Sequence, residues 1–379
     1  MNGINEIKRV LHIFGSLDMG GAETRTIDIY KNIDRNKVQF DFISLDSSEN
    51  QTYENEILEL GGKIFKLESP RKIGNIKHYK VLKRIMISNK YLAVHSHTSF
   101  HNGLVMMCAF FSKIKIRISH SRTTNTKKKG IKNKIFLYIG KFLVKTFATN
   151  MLAISKESAI FLYGKKRVEK NKVEVLPNPI DLSKFLYEDK SKTVKIKEDL
   201  RIENCDLIIG QIGRFEDIKN QKFLVDIASV MVSNFPLMKI IFIGDGPKKT
   251  EVEEKVKMLK LEDYFIFLGN RRDINEVIKI FDILVVPSLY EGLSGVLIEA
   301  QAANILCVAS STIPKEVDFG LGLIKFVDLN SSINNWKEAI ISQLKIPKKN
   351  DKQIIESFEK RNFTIEYTIK RLMEIYKIQ

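Results

Sequence analysis

The 379-residue chain is 44% hydrophobic and 28% charged, with 20 Gly and 8 Pro. That balance excludes collagen-like, low-complexity and broadly disordered chains. Three cysteines, Cys108, Cys205 and Cys307, stand far apart without a CxxC spacing, so a disulfide framework is excluded and a reducing setting is expected. The formal net charge is +17.

The opening MNGINEIKRVLHIFG holds no uninterrupted apolar segment, so no secretory signal is expected. The longest apolar run, GLVMMCAFF (103–111), falls short of the ~20 residues that span a bilayer. The expected setting is the cytoplasm. Along the chain, short β-branched runs alternate with longer amphipathic stretches. Strands are expected over 9–14, 38–45, 63–67, 91–96, 115–119, 151–155 and 172–177. Six more are expected over 206–213, 239–244, 265–269, 282–287, 305–310 and 323–327. Strands that lack polar alternation and are separated by helices predict parallel sheets covered on both faces. One sheet of about thirteen strands is improbable, so the chain is divided in two within 176–204, where two prolines and a charged, poorly periodic stretch break the pattern. The tail, 363–376, repeats apolar residues at Ile365, Ile369, Leu372 and Tyr376, which predicts an amphipathic helix.

The charge is unevenly placed. Residues 69–156 contain 19 Lys and Arg and no Asp or Glu, while the rest of the chain carries 43 basic and 45 acidic residues. Within that window KKKGIKNKIFLYIGKFLVKTF (127–147) interleaves Lys with apolar residues at near-helical spacing. Such a run is either a solvated helix face or a patch for an anionic membrane surface. Nucleic acid is the weakest of the readings, because no nucleic-acid motif accompanies the patch.

Three constellations could carry chemistry, each directly after a strand. GSLDMGGAETRTI (15–27) places Gly20 and Gly21 where backbone can approach a ligand before a helix N-terminus. The spacing is neither GxGxxG nor a P-loop, and alone it is equally a tight strand–helix turn. GRFEDIKNQ (213–221) sends Arg214 and Lys219 from the carboxyl end of a strand, where ligands of open α/β sheets bind. A planar fork and a point charge there suit a diphosphate; two surface cations are the plain alternative. SLYEGLSGVLIEAQAA (288–303) sets Glu291 and Glu299 eight apart around Gly292, Ser294 and Gly295. Small residues at such a turn can offer backbone N–H groups, and a carboxylate early in the helix can take two vicinal hydroxyls. Sequence spacing does not make the two Glu a glycosidase pair. All six histidines fall in the first 120 residues, with His95, His97 and His101 in HSHTSFH. Without a nearby carboxylate, Cys or HExxH they are not expected to bind a metal; one or two of the six are expected at strand ends lining a cleft, as hydrogen-bonding groups.

Taken in order, GGAE (20–23), HSR (120–122), LPNPID (176–181), GRFEDIKNQ (213–221), IGDGP (243–247), FLGNRRDI (267–274) and EGLSGVLIE (291–299) resemble the family 4 glycosyltransferases of the GT-B fold, especially those of bacterial capsule and exopolysaccharide synthesis. The resemblance implies an α/β chain of two Rossmann-like domains whose parallel sheets face across a cleft. The acceptor domain would be 1–185, followed by a linker 186–204, a nucleotide-sugar domain 205–355, and a closing helix 356–379 packing back on the first domain. It implies that Arg214 and Lys219, following Gly213, bind the donor diphosphate. Glu299 would hold the ribose, Glu291 would face the transferred sugar, and Gly292, Leu293, Ser294 and Gly295 would bind the donor. His120 would contact that sugar, Gly20 and Gly21 would lie near the phosphates and the acceptor, and Gly269, Arg271 and Arg272 would lie near the base. LPNPID departs from the commoner PNGVD form, and Ser294 stands where many relatives have Pro or Gly.

The activity implied is retaining hexosyl transfer from a nucleotide-sugar, expected to be a UDP-sugar, to a glycan or lipid-linked acceptor. No metal or other cofactor is expected, since no DxD-type motif occupies a plausible site and fixed cations can stabilise the departing diphosphate. The expected location is the inner face of the cell membrane, held through 69–156, with no nucleic-acid partner. The competing readings are an epimerase or phosphorylase on the same fold and a non-catalytic basic polymer-binding protein. The absence of acidic residues from 69 to 156 counts against an epimerase.

Overall fold

The computed structural model describes residues 7–123, 131–187 and 189–378. Two compact units form, one from 1–179 with 362–379 and the other from 180–361.

The first unit is built on seven strands: β1 (Lys8–Phe14), β2 (Val38–Ser44), β3 (Ile64–Lys66), β4 (Ala93–Ser96), β5 (Ile116–Ser121), β6 (Asn150–Ala153) and β7 (Glu174–Val175). They pair in parallel in the order β3-β2-β1-β4-β5-β6-β7. Both faces are covered, and β1 shows why its sequence lacks polar alternation. Val10 and Phe14 pack into one core with Tyr30, Phe40, Leu372 and Tyr376. Leu11 and Ile13 pack into the other with Leu82, Val105 and Met106. Helices Gly21–Asn32 and Ile365–Tyr376 cover the first face, and Asn75–Ser88 and Asn102–Phe111 cover the second. The closing helix is capped by the Thr364 hydroxyl, which accepts from Tyr367 N, and ends on Lys377 in the left-handed region. Its buried Ile365, Leu372, Ile375 and Tyr376 belong to the first unit's core, so the end of the chain is integral to the domain at its start.

The second unit carries β8 (Ile208–Ile212), β9 (Lys239–Ile243), β10 (Phe265–Phe267), β11 (Ile283–Val286), β12 (Leu306–Ser310) and β13 (Ile324–Val327), parallel in the order β10-β9-β8-β11-β12-β13. Each sheet reverses its strand order once, between β1 and β4 and between β8 and β11. Open α/β sheets bind ligands outside the carboxyl ends at such a reversal. The stretch 186–204, expected as a linker, instead carries a helix, Lys190–Leu200, and lies within the second unit. Asp189 caps it by accepting from Ser191 N and Lys192 N. Its composition, KSKTVKIKEDL, has too few apolar residues to display a helical period. The chain passes from one unit to the other at Pro179 and returns at Asn362.

Candidate active site

At the reversal in the second sheet, the loop after β8 is stitched to the loop after β11. Leu289 N donates to Ile218 O at 2.9 Å, and Asn220 Nδ2 donates to Pro287 O at 3.1 Å. Asn220 sits in the left-handed region (φ 54°), which Asn tolerates and which turns the chain into helix Gln221–Met231. This stitching brings Lys219 against Glu291: Lys219 Nζ lies 2.5 Å from Glu291 Oε1. Ser288 Oγ donates to the same oxygen at 2.9 Å. The Ser288 carbonyl is in turn held by the Thr312 hydroxyl at 2.9 Å. Two residues 72 positions apart, expected to contact the diphosphate and the transferred sugar respectively, are therefore direct partners.

Arg214 leaves the same strand end with its side chain largely in solvent, 3.4 Å from Glu216. Its backbone is fixed, because Gln221 Nε2 donates to Arg214 O at 3.1 Å. Gly213 and Gly269 meet through Gly244: Gly213 N donates to Ile243 O, and Gly244 N donates to Gly269 O at 2.8 Å. A Cβ on Gly244 would lie 2.2 Å from Gly213 O, and its φ of +134° is one that side-chain-bearing residues rarely adopt. Only glycine lets the ends of β8, β9 and β10 close together here. Arg271 is turned onto Asp273, with Nε–Oδ1 at 2.8 Å, and Arg272 is exposed. Gly292 and Leu293 follow Glu291, and Gly295 opens helix Gly295–Ala302, in which Glu299 is the fifth residue. Ser294 is the N-cap of that helix, yet its hydroxyl caps nothing and is buried without a hydrogen-bond partner.

At the reversal in the first sheet, His12, His95, His97 and His120 stand at the carboxyl ends of β1, β4 and β5 and are all buried. Arg122 Nε donates to His97 Nδ1 at 3.1 Å. A guanidinium can only donate, so His97 carries its proton on Nε2 and gives it to His12 Nδ1, 3.1 Å away. His12 is thereby left with an N–H at Nε2, buried and unpaired. A second pair runs from Tyr376 to His95 (2.8 Å) and from His95 Nε2 to His120 Nδ1 (3.1 Å). Burial holds the His12 pKa down to about 3 and pushes those of His95, His97 and His120 well below the usual histidine value, so all four are neutral. Nitrogens of His12, His95 and His97 lie within 4.8 Å of one another, as in a metal site. The chain starting at Arg122 uses the lone pairs of His97 and His12, two of the three a cation would need, and the guanidinium adds its own positive charge. Four histidines, more than the one or two expected, act as hydrogen-bonding groups at strand ends, and His120 is one of them.

The same edge gathers residues that the sequence marks contained but did not single out. Arg122 Nη1 donates to Asn178 Oδ1. Asn178 also approaches Gly21, and Arg122 acts electrostatically on Glu23. Thus GGAE, HSR and LPNPID converge, although they are spread over about 160 positions. Gly20, in extended backbone, is the N-cap of helix Gly21–Asn32 and leaves its first N–H groups without a side-chain cap.

Comparison with known proteins places this geometry. A model of the glycosyl transferases group 1 matches residues 206–344, and one of Glycosyltransferase Family 4 matches residues 19–184. The putative glycosyltransferase EpsF of Bacillus subtilis is 32% identical over 373 residues, covering 98% of this chain and 97% of EpsF. The chain belongs to the family 4 glycosyltransferases. This glycosyltransferase is also 28% identical to the capsular polysaccharide biosynthesis glycosyltransferase CapH of Staphylococcus aureus, over 97% of its own length and 98% of CapH. Among solved structures, Anabaena HepE in complex with UDP matches with a TM-score of 0.75 at 18% identity, over 98% of this chain and 100% of HepE. A glycosyltransferase of Rickettsia africae matches at 0.79 and 19%, over 98% of both chains. At that identity the likeness establishes the GT-B fold.

Proposed function

We propose that this glycosyltransferase moves a hexose from a UDP-sugar to a lipid-linked glycan with retention of configuration and without a metal, in the synthesis of a surface polysaccharide. The observation that carries the reading is the Lys219–Glu291 pair at the carboxyl-end reversal of the second sheet. Breaking the anomeric bond puts negative charge on the departing diphosphate and positive character on the sugar. A lysine and a carboxylate held together there supply one partner for each. As the diphosphate draws on Lys219 and Arg214, Glu291 stays anchored by Ser288 and faces the sugar. Glu299, in the helix behind, takes the ribose hydroxyls. Leaving-group charge is met by side-chain cations, so no divalent ion is needed. Structures of HepE with UDP-glucose support a UDP-sugar. A relative named as a galactosyltransferase acting on a diphosphoundecaprenol-linked sugar in Escherichia coli, 26% identical over 269 residues, supports the acceptor class.

The first unit adds the membrane part of the proposal. Residues 127–130 of the basic run lie outside the described residues, and helix Ile131–Phe147 follows them. It is buried along Gly140 and Val144, where Gly140 crosses close to Gly103. Ile135, Tyr138, Ile139 and Phe142 line its opposite side, with Lys134 and Lys145 also exposed. A solvated face would not present a continuous apolar stripe, whereas a helix lying on an anionic leaflet would. No described helix is long and apolar enough to cross a membrane.

The test is slow donor hydrolysis across a panel of UDP-, GDP- and dTDP-sugars in the presence of EDTA. Turnover of a UDP-sugar is expected. Turnover of another nucleotide-sugar alone, or only after addition of Mg²⁺ or Mn²⁺, would overturn the donor or the metal-free reading respectively.

A further inference from the structure

The carboxyl edge of the first sheet holds a cation, Arg122, that forms no ion pair among the described residues. Arg122 is pinned at Nε by His97 and at Nη1 by Asn178, both of them neutral. Among the described residues no acceptor meets Nη2, and no carboxylate forms an ion pair with the guanidinium. The field of Glu23 reaches Arg122 without such a pair forming. Burial lowers the Arg122 pKa only to about 10, so the group stays charged at neutral pH. A partly buried charge fixed in orientation by neutral acceptors is costly unless something anionic completes it.

Two further groups point to the same occupant. His12 Nε2 and the Thr368 hydroxyl are buried without partners among the described residues. With Arg122 they line one small cavity of about 10 Å³. That space takes a single oxygen-sized group. The tautomer chain from Arg122 through His97 makes His12 Nε2 a donor, so the group it awaits is an acceptor. An oxygen seated there, with the remainder of its anion on the open edge of the guanidinium, satisfies the charge and the N–H together. Planar guanidinium recognition suits the oxygens of a phosphoryl group.

We propose that Arg122, oriented by His97 and Asn178, binds a phosphoryl group of the acceptor, so that the acceptor is a sugar carried on a phosphate or diphosphate. The proposal rests on the transferase reading given above. The donor diphosphate is the other source of the same chemistry, but the second unit already supplies Arg214 and Lys219 for it.

The experiment titrates geranyl diphosphate into the full-length protein saturated with UDP, with geraniol as the uncharged control. It compares wild type with Arg122→Gln, Arg122→Lys and Asn178→Ala, and the thermal midpoint of each variant verifies folding. Saturable binding of the diphosphate but not of geraniol is expected in wild type. It should weaken at least tenfold in Arg122→Gln, recover in part in Arg122→Lys and weaken severalfold in Asn178→Ala, while UDP affinity stays that of wild type. Asn178→Ala keeps the cation and its bond to His97, so it decides the matter if Arg122→Gln fails to fold. No binding in wild type, equal binding in the Arg122 and Asn178 variants, or displacement by UDP would overturn the proposal. Donor hydrolysis by wild type, measured separately, tests the transferase reading. Its absence alongside Arg122-dependent binding would remove that reading and leave the anion site standing.

Discussion

Glu291 accepts from both Lys219 and Ser288 through a single oxygen, and among the described residues no donor meets the second. This makes Ser288 a positioning residue. Ser288→Ala is expected to lower turnover by roughly tenfold, near the value of one hydrogen bond to a charged group, with little change in the KM for donor. An unchanged kcat would show that Lys219 alone positions the carboxylate. Arg214 is exposed and loosely paired, so Arg214→Ala should leave the thermal midpoint alone while lowering turnover by ~10²–10³. Equal turnover would remove Arg214 from the phosphate site. The histidines make a separate prediction for stability. Their folded pKa values are depressed while unfolded histidine titrates near 6.5, so the unfolded chain binds more protons below that pH. The stabilisation is complete above about pH 6.5 and is lost as pH falls toward the folded value, about 3 for His12. At pH 5 each fully neutral buried histidine costs about 2 kcal/mol. Urea midpoints should therefore decline steeply between pH 6.5 and 5, before most carboxylates titrate; a flat profile there would contradict the buried neutral network.

The strands were legible in the sequence because burial on both faces writes them as continuous apolar runs, as in β1 and β11. Helix Lys190–Leu200 was not, because its residues are mostly polar and its start depends on the Asp189 cap. The closing helix was legible from its period, but its role was not, because the Tyr376–His95 bond spans 281 positions. Leu372→Ala should cost ~2–5 kcal/mol of the first unit's stability. Tyr376→Phe should cost ~1–3 kcal/mol, because it leaves a buried His95 nitrogen unpaired. Denaturation followed in both variants checks this, and wild-type stability in either would mean that the helix is a peripheral attachment. The helix Ile131–Phe147 presents the opposite case, an exposed apolar stripe that no described residue of its own unit covers. Replacing Ile135, Ile139 and Phe142 with Ser, and separately Lys134 and Lys145 with Gln, should each weaken co-sedimentation with anionic vesicles. Each lysine contributes about 1 kcal/mol, and the binding should fade in 1 M salt, where screening shortens to ~3 Å. Equal pelleting with neutral vesicles would leave the stripe without this role.

At the scale of the whole molecule, each unit gathers its candidate residues at the carboxyl-end reversal of a parallel sheet. The second unit's candidate residues Arg214, Lys219, Glu291 and Glu299 could be singled out in the sequence because they sit in two compact motifs. The first unit's centre could not. Its groups come singly from β1, β4, β5, the segment after β7 and the closing helix, and Arg122 and Asn178 gain meaning only from the histidine chain that joins them. The central claim is that the Lys219–Glu291 pair breaks a nucleotide-sugar bond without a metal. It is tested most directly by UDP release from a UDP-sugar in excess EDTA, comparing wild type with Lys219→Ala. Release by wild type and a loss of ~10²–10³ in the variant are predicted. Equal release by the two proteins, or release by wild type only when a divalent cation is restored, would contradict the account.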